Sequence, residues 1–114
     1  MKTLSLASLF LILVSFSIFT VKPAKVKIIV VDENSNLVEG ANVSLYINQE
    51  RYKTEKNASA SGKTNSKGII QFKNLEERIY YIHVRKGDLN NNGGSIQTDT
   101  LHASSKNRFQ IMID

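Results

Sequence analysis

Residues 41–47 read A-N-V-S-L-Y-I, a strict alternation of apolar and polar side chains. Successive side chains of a β-strand point to opposite faces of the sheet, whereas a helix would repeat every 3.6 residues or so. The stretch therefore predicts a half-buried strand with its apolar side chains toward a core and three polar ones toward solvent: Asn42, Ser44 and Tyr46.

Further short runs with turn residues between them follow the spacing that is typical of all-β domains. The run 25–32 is apolar on both faces toward its end, which favours a central strand, and 49–57 is polar, which favours an exposed edge strand. Residues 58–67 and 87–94 are rich in Ser, Asn and Gly and are predicted to be loops. The prediction is a seven-stranded Greek-key β-sandwich with strands at 25–32, 41–47, 49–57, 68–72, 78–86, 95–101 and 107–114.

The N-terminus carries the pattern of an export signal. Lys2 supplies a basic start, and residues 4–19 then contain no charge. A membrane-spanning helix needs about 20 apolar residues, so the run is marginal for that role. We assign residues 1–24 to an apolar signal helix, with cleavage after Ser17 as one solution, and residues 25–114 to the domain. A retained signal anchor is the alternative, and only then would the chain contact a membrane.

Composition narrows the class of protein. The chain has 114 residues and no cysteine, which excludes disulfides, thiolate metal sites and a lipidated cysteine. Its net charge is +5, but the basic residues are scattered singly, so nucleic-acid binding is not predicted. An exported chain without cysteines fits a bacterial periplasmic or secreted protein.

Four stretches resemble a known family. They are V-K-I-I-V-V-D at 26–32, G-A-N-V-S-L-Y at 40–46, T-N-S-K-G-I-I-Q-F-K-N-L at 64–75 and Y-Y-I-H-V at 80–84. Their order is similar to that of carboxypeptidase-regulatory-like domains, over residues 26–84. The resemblance implies a transthyretin-like (prealbumin-like) sandwich and an accessory module that stands alone in the bacterial envelope.

The same resemblance implies no catalytic site. Hydrolases of the transthyretin-related kind end in a Tyr-Arg-Gly-Ser signature, whereas this chain ends Q-I-M-I-D. Similar pilin-type domains form a Lys–Asn isopeptide bond with the help of a buried acid. Here Val30 and Val31 stand near the lysine position, and His83 and Val84 stand near the position of the acid. The chain is therefore predicted not to be an enzyme.

One loop has the oxygen-ligand spacing of a calcium site. Residues 88–93 read D-L-N-N-N-G, and Asp99 falls at the twelfth position of that motif. Asp88, Asn90, Asn92 and Asp99 would supply the ligands, although two carboxylates predict low affinity. The alternative is an ordinary Asn/Gly hairpin loop, and calcium is the only cofactor that the sequence suggests.

A second candidate site is an aromatic patch. If the strand of Tyr46 pairs with that of Tyr81, then Tyr46, Tyr81 and His83 share an outer face. An exposed patch of this kind could bind a sugar or a protein. The resulting functional prediction is an exported, non-enzymatic module with a structural or protein-interaction role and a protein partner in the envelope or outside the cell. The alternative is a module that binds carbohydrate or, weakly, calcium.

Overall fold

The computed structural model describes residues 22–114, so the predicted signal segment lies outside the described residues except for its last three. The described part contains seven strands and one short helix. They are β1 (Ala24–Val31), β2 (Asn42–Tyr46), α1 (Gln49–Thr54), β3 (Ala60–Lys63), β4 (Ile69–Leu75), β5 (Tyr81–Lys86), β6 (Leu89–Asn90) and β7 (Asn107–Met112).

The strands form two sheets that pack face to face. The first has the order β4–β1–β7, in which β1 is antiparallel to β4 and parallel to β7. The second has the order β3–β2–β5–β6 and is antiparallel throughout. The all-β sandwich predicted from the sequence is confirmed, and so is the central position of β1.

The core lies between the sheets and follows the alternation of the strands. Val43 and Leu45 of β2 are fully buried, as are Ile82 and Val84 of β5 and three side chains of β1: Val26, Ile28 and Val30. Burying one such side chain stabilises a fold by about 1.5–3 kcal/mol. The faces predicted for residues 41–45 and 80–84 are therefore confirmed, and they set which side chains are left on the outer surfaces.

Residues 49–57 are not the edge strand that their polarity suggested. They begin with α1, whose first turn is capped by the Asn48 side chain at 2.8 Å from the Arg51 amide. Glu55 ends the helix in the left-handed conformation, with φ 53°. Gln, Glu, Arg and Lys are good helix formers, and Asn is a preferred N-cap, so local propensity explains the helix. No helix in the described part is long and apolar enough to cross a membrane.

The edge strand lies instead in the segment predicted as a loop. β3 pairs with β2 from Asn42–Lys63 to Leu45–Ala60, although its sequence is only A-S-G-K. Its Ser61 hydroxyl lies 3.0 Å from that of Ser44. Main-chain pairing with an apolar neighbour therefore makes this strand, and its own side chains contribute little to the signal.

The segment 95–101 was also predicted as a strand and is not one. It touches β5 through a single bridge between Tyr81 and Gln97, and the Thr98 hydroxyl accepts a hydrogen bond from the Tyr80 amide at 3.0 Å. The buried Leu101 anchors it to the core. The predicted loop 87–94 contains the two-residue β6, which completes the seven strands.

Candidate functional site

The outer face of the four-stranded sheet carries an aromatic cluster. Tyr46 of β2 and Tyr81 of β5 are direct cross-strand partners, and Ser44 pairs with His83. The pairing on which the predicted patch depended is therefore present. Tyr52 of α1 lies over these strands, with its ring centroid 6.3 Å from that of Tyr46, 5.9 Å from that of Tyr81 and 5.9 Å from that of His83.

The expected exposure of this patch is wrong. Tyr46 is only 4% exposed and His83 only 8%, while Tyr81 is half-buried. The reason is α1, which the sequence analysis did not predict and which covers the patch with Tyr52. The three residues meet as a packed cluster, in the edge-to-face and tilted arrangements that aromatic rings favour.

A small charge network surrounds His83. Glu55 Oε1 lies 3.4 Å from His83 Nδ1 and 3.5 Å from Arg85 Nη2. Burial lowers the pKa of His83 below its ordinary value, and this effect outweighs the attraction of the Glu55 carboxylate. Burial likewise raises the pKa of Tyr52, which is neutral throughout the physiological range. At neutral pH the cluster thus contains an uncharged imidazole beside an exposed carboxylate–guanidinium pair.

Beside α1 lies an open depression of about 340 Å³. It is lined among others by Tyr52, Glu55, Arg85 and Asn92. The Tyr52 hydroxyl donates a hydrogen bond of 3.0 Å to Asn92 Oδ1. An aromatic ring beside amide and charged groups is chemistry that can hold a polar ligand such as a sugar.

The structure does not gather the four residues of the calcium-like motif at one point. Leu89, next to Asp88, pairs with Lys86 at one end of β5, whereas Gln97, two residues before Asp99, bridges to Tyr81 at the other end. With about 3.3 Å for each strand residue, Asp88 and Asp99 lie on the order of 20 Å apart. Within residues 22–114, no three His, Cys, Asp or Glu residues are grouped to hold a metal.

The amides of that loop have other partners. Asn90 Oδ1 accepts a hydrogen bond from the Asn92 amide at 2.9 Å, and Asn92 is bound by Tyr52. The topology therefore does not favour a twelve-position ligand set that includes Asp99, and the calcium site stays a prediction. The chain folds back along β5 between the two aspartates and separates them.

Asn91 is the structurally important residue of the loop, and the sequence does not predict this role. Its side chain is 1% exposed. The Oδ1 atom accepts from the Val84 amide at 2.9 Å, and Nδ2 donates at 2.9 Å each to the carbonyls of Ile82 and Ser95. Three consecutive asparagines give no pattern that tells which side chain turns inward, so only the burial of Asn91 identifies it.

No family model matches the chain, and no curated protein matches it either. Solved structures do. The group B streptococcus pilus 2b backbone protein matches with TM-score 0.59 and 18% identity, over 83% of this chain and 42% of that one. A streptococcal ancillary pilin matches with TM-score 0.58 and 16% identity, over 83% and 33%. BcpA, the major pilin subunit of Bacillus cereus, matches with TM-score 0.55 and 16% identity, over 82% and 30%.

These likenesses concern the fold. The chain shares the β-sandwich architecture of pilin domains and spans less than half the length of each of these pilins. The similarity to these solved structures therefore also supports the predicted β-sandwich fold. Membership of the carboxypeptidase-regulatory-like family stays a prediction.

Proposed function

We propose that the chain is an exported, non-enzymatic β-sandwich module with a structural or protein-interaction role in the bacterial cell envelope. The observation that carries the proposal is the shared fold, which extends over more than four-fifths of the chain in three pilus proteins. Membership of the carboxypeptidase-regulatory-like family belongs to the same proposal and is supported by the motifs at 40–46, 64–75 and 80–84.

The buried polar side chains have structural partners. Within residues 22–114, every buried side-chain nitrogen and oxygen has a hydrogen-bond partner. His83, the buried histidine, faces Glu55 and packs on Tyr52. These contacts hold α1 against β5.

Export is supported by the charge-free run at residues 4–19. The fold adds a constraint on its removal, because Ala24 is 1% exposed and begins β1 opposite Leu75. Cleavage after Ala24 would remove a buried residue of the central strand. Processing after Ser17 leaves β1 intact, and we propose this site.

Export is tested by fusing the chain to alkaline phosphatase, which becomes active only outside the bacterial cytoplasm. The unaltered fusion should be active, and Leu11→Arg in the apolar run should abolish that activity. Leu89→Arg is the matched control, because Leu89 is an exposed residue of edge strand β6. Activity that survives Leu11→Arg would contradict the export signal, and the N-terminal sequence of the released product should start at Ile18.

The interaction role is tested in the cells that make the protein. A photo-cross-linking residue is placed at exposed positions on each outer face, and the adducts are identified by mass spectrometry. Reproducible adducts with envelope or secreted proteins from one face support the role. A chain that is exported but yields no adduct from any face would overturn it.

Carbohydrate binding at the depression beside α1 is the second candidate. It is favoured by the half-buried ring of Tyr52 and the imidazole of His83, which line the depression together with Arg85 and Asn92. Chito- and cello-oligosaccharides should shift the ring resonances of Tyr52 and His83 if this candidate holds. Tyr52→Ala should remove the shift, and titrations without any shift would discard the sugar.

A further inference from the structure

The outer face of the three-stranded sheet is basic at one end. Lys25 and Lys27 of β1 and Arg108 of β7 are exposed there, and Lys106 immediately precedes β7. Lys27 and Arg108 are direct partners across the parallel pair, and the adjacent pair Val26–Asn107 places Lys25 beside Lys106. Two pairs of like charges therefore stand side by side on neighbouring strands.

This arrangement is unfavourable for the isolated domain, because like charges directly opposite each other destabilise a sheet. Carboxylates do not compensate it within the described part. The ion pairs found there join Glu76 to Arg78, and Glu55 to His83 and Arg85, on other surfaces. The four cations instead surround a depression of about 260 Å³ whose remaining lining is Gln71 and Asn107.

The basic end is also held in shape. Asn107 Nδ2 donates to the carbonyl of Lys25 at 2.8 Å and to that of His102 at 2.9 Å. Asn107 Oδ1 accepts from the His102 amide at 3.1 Å. These bonds fasten the segment 102–106 to the start of β1 and keep Lys106 beside Lys25.

The opposite end of the same face is apolar. Ile29 and Val31 follow Lys25 and Lys27 on the outer side of β1 but are only 7% and 6% exposed. The exposed apolar side chains at this end are Leu37 and Met112, which flank Val31. Leu37 is 56% exposed and Met112 is 49% exposed. From Lys25 to Val31 the face changes from cationic to apolar over roughly 20 Å, at about 3.3 Å for each strand residue.

We propose that this face binds an extended acidic segment of a partner protein, with carboxylates at every second residue followed by apolar side chains. The cations on each strand are two residues apart, roughly 6.6 Å, which is the spacing of same-side side chains in an extended peptide. The apolar end favours a peptide over a phosphate polymer, which has no apolar groups. The regular spacing of the cations along the strands favours a peptide over an anionic membrane, whose headgroups have no fixed spacing. The proposal rests on the protein-interaction role proposed above and names the chemistry of the partner.

The test uses the exported protein purified from culture and a fluorescein-labelled peptide, E-T-E-T-E-T-V-T-L-T, in a fluorescence anisotropy titration. Exposed charge pairs are individually weak and screened by salt, so the affinity should fall at least fivefold between 50 and about 300 mM salt. A peptide with lysine in place of glutamate should not bind. A peptide with serine in place of valine and leucine should bind several-fold more weakly.

Variants of the protein locate the site. Lys27→Glu with Arg108→Glu should weaken peptide binding at least tenfold. The matched control, Lys53→Glu with Lys56→Glu, makes the same change in net charge beside α1 and should weaken it less than threefold. Lys27→Glu alone sets opposite charges against each other across β1 and β7, so its melting temperature should not fall, which separates lost binding from lost folding.

Equal weakening by the two double variants would overturn the site. The peptide assignment would also be overturned if polyphosphate or vesicles of anionic phospholipid displaced the peptide, and if Leu37→Ser and Met112→Ser left the affinity of that competitor unchanged. If peptide binding fails while cross-links form from another face, the interaction role survives and only this surface is wrong. If no face forms cross-links, both the proposed interaction role and this binding surface are wrong.

Discussion

Replacing Asn91 by alanine should remove a large part of the stability of the domain. The three hydrogen bonds of its side chain hold the amide of Val84 and the carbonyls of Ile82 and Ser95. The bond to the Val84 amide and the bond to the Ile82 carbonyl are buried. Alanine cannot replace any of these bonds, and the groups left behind face protein rather than water.

The magnitude follows from those unpaired groups. A buried donor or acceptor that loses its partner costs about 1–3 kcal/mol, so two of them together cost about 4 kcal/mol. Domains of this size unfold with free energies of about 5–15 kcal/mol. At about 4–8 °C for each kcal/mol, the melting temperature of Asn91→Ala should fall by roughly 20 °C.

Urea denaturation followed by circular dichroism measures this loss, with Asn92→Ala as the matched control. Asn92 is exposed, and its side-chain oxygen accepts one hydrogen bond, from the Tyr52 hydroxyl. Its removal should cost about 1 kcal/mol or less. If Asn91→Ala costs no more than Asn92→Ala, the bonds of Asn91 do not organise the loop and the reasoning fails.

Asn91→Asp gives a second readout with nearly the same shape. The carboxylate still accepts from the Val84 amide but cannot donate to the two carbonyls, and its charge is buried. Burial without a cation raises the pKa of such a carboxyl in the folded state, so its destabilising effect is smallest at low pH and grows as pH rises through that pKa. The variant should therefore be closer to the unaltered protein at pH 4 than at pH 7, which a merely missing side chain would not produce.

Three further predictions concern other parts of the domain. Gly68 has φ 71°, and an added Cβ would lie 2.9 Å from a backbone oxygen of β1. Gly87 has φ 57° but open space around it, so Gly87→Ala is the control and should cost about 1 kcal/mol. In urea denaturation, Gly68→Ala should lower the free energy of unfolding by at least about 2 kcal/mol more than this control. Because the pKa of His83 is lowered in the folded state, the unfolded chain binds the proton more tightly. The free energy of unfolding should therefore fall as pH drops below about 6.5. His83→Gln should flatten that part of the pH profile. Millimolar calcium should leave the melting temperature unchanged, because Asp88 and Asp99 lie at opposite ends of β5, and a rise of several degrees would show a calcium site formed by other oxygens.

Sequence reasoning worked where side-chain alternation and burial coincide. Residues 41–45 and 80–84 alternate, and their apolar members are the core of the four-stranded sheet. The end of β1, residues 28–31, is apolar on both faces because Ile28 and Val30 point into the core while the outward Ile29 and Val31 are covered by their neighbours. In these segments hydrophobic burial dominates the local free energy, so the pattern is sufficient to predict the strand and its faces.

It failed where main-chain geometry decides. Ala60–Lys63 forms a strand because its main chain pairs with the edge of β2. The sequence A-S-G-K itself has no pattern that predicts a strand. Residues 49–54 are polar in a way that suits either an edge strand or a helix, and the Asn48 cap settles the choice. The error had a consequence for the candidate site, since the missed helix α1 is the element that covers Tyr46 and His83.

The two outer surfaces of the sandwich differ in what a partner would have to displace. Six-residue helices are not stable alone, so α1 keeps its form through the packing of Tyr52 on the aromatic cluster. A ligand for Tyr46 and His83 would have to lift α1 and break the contacts that make it a helix, which reduces the apparent affinity by the cost of opening. The basic face needs no such change, because its cations are exposed and Asn107 already holds the backbone of residues 102–106 against β1. A partner that carries negative charge should therefore associate with the basic face quickly and in a salt-dependent manner, whereas association at the aromatic face should be slow and limited by the opening of α1.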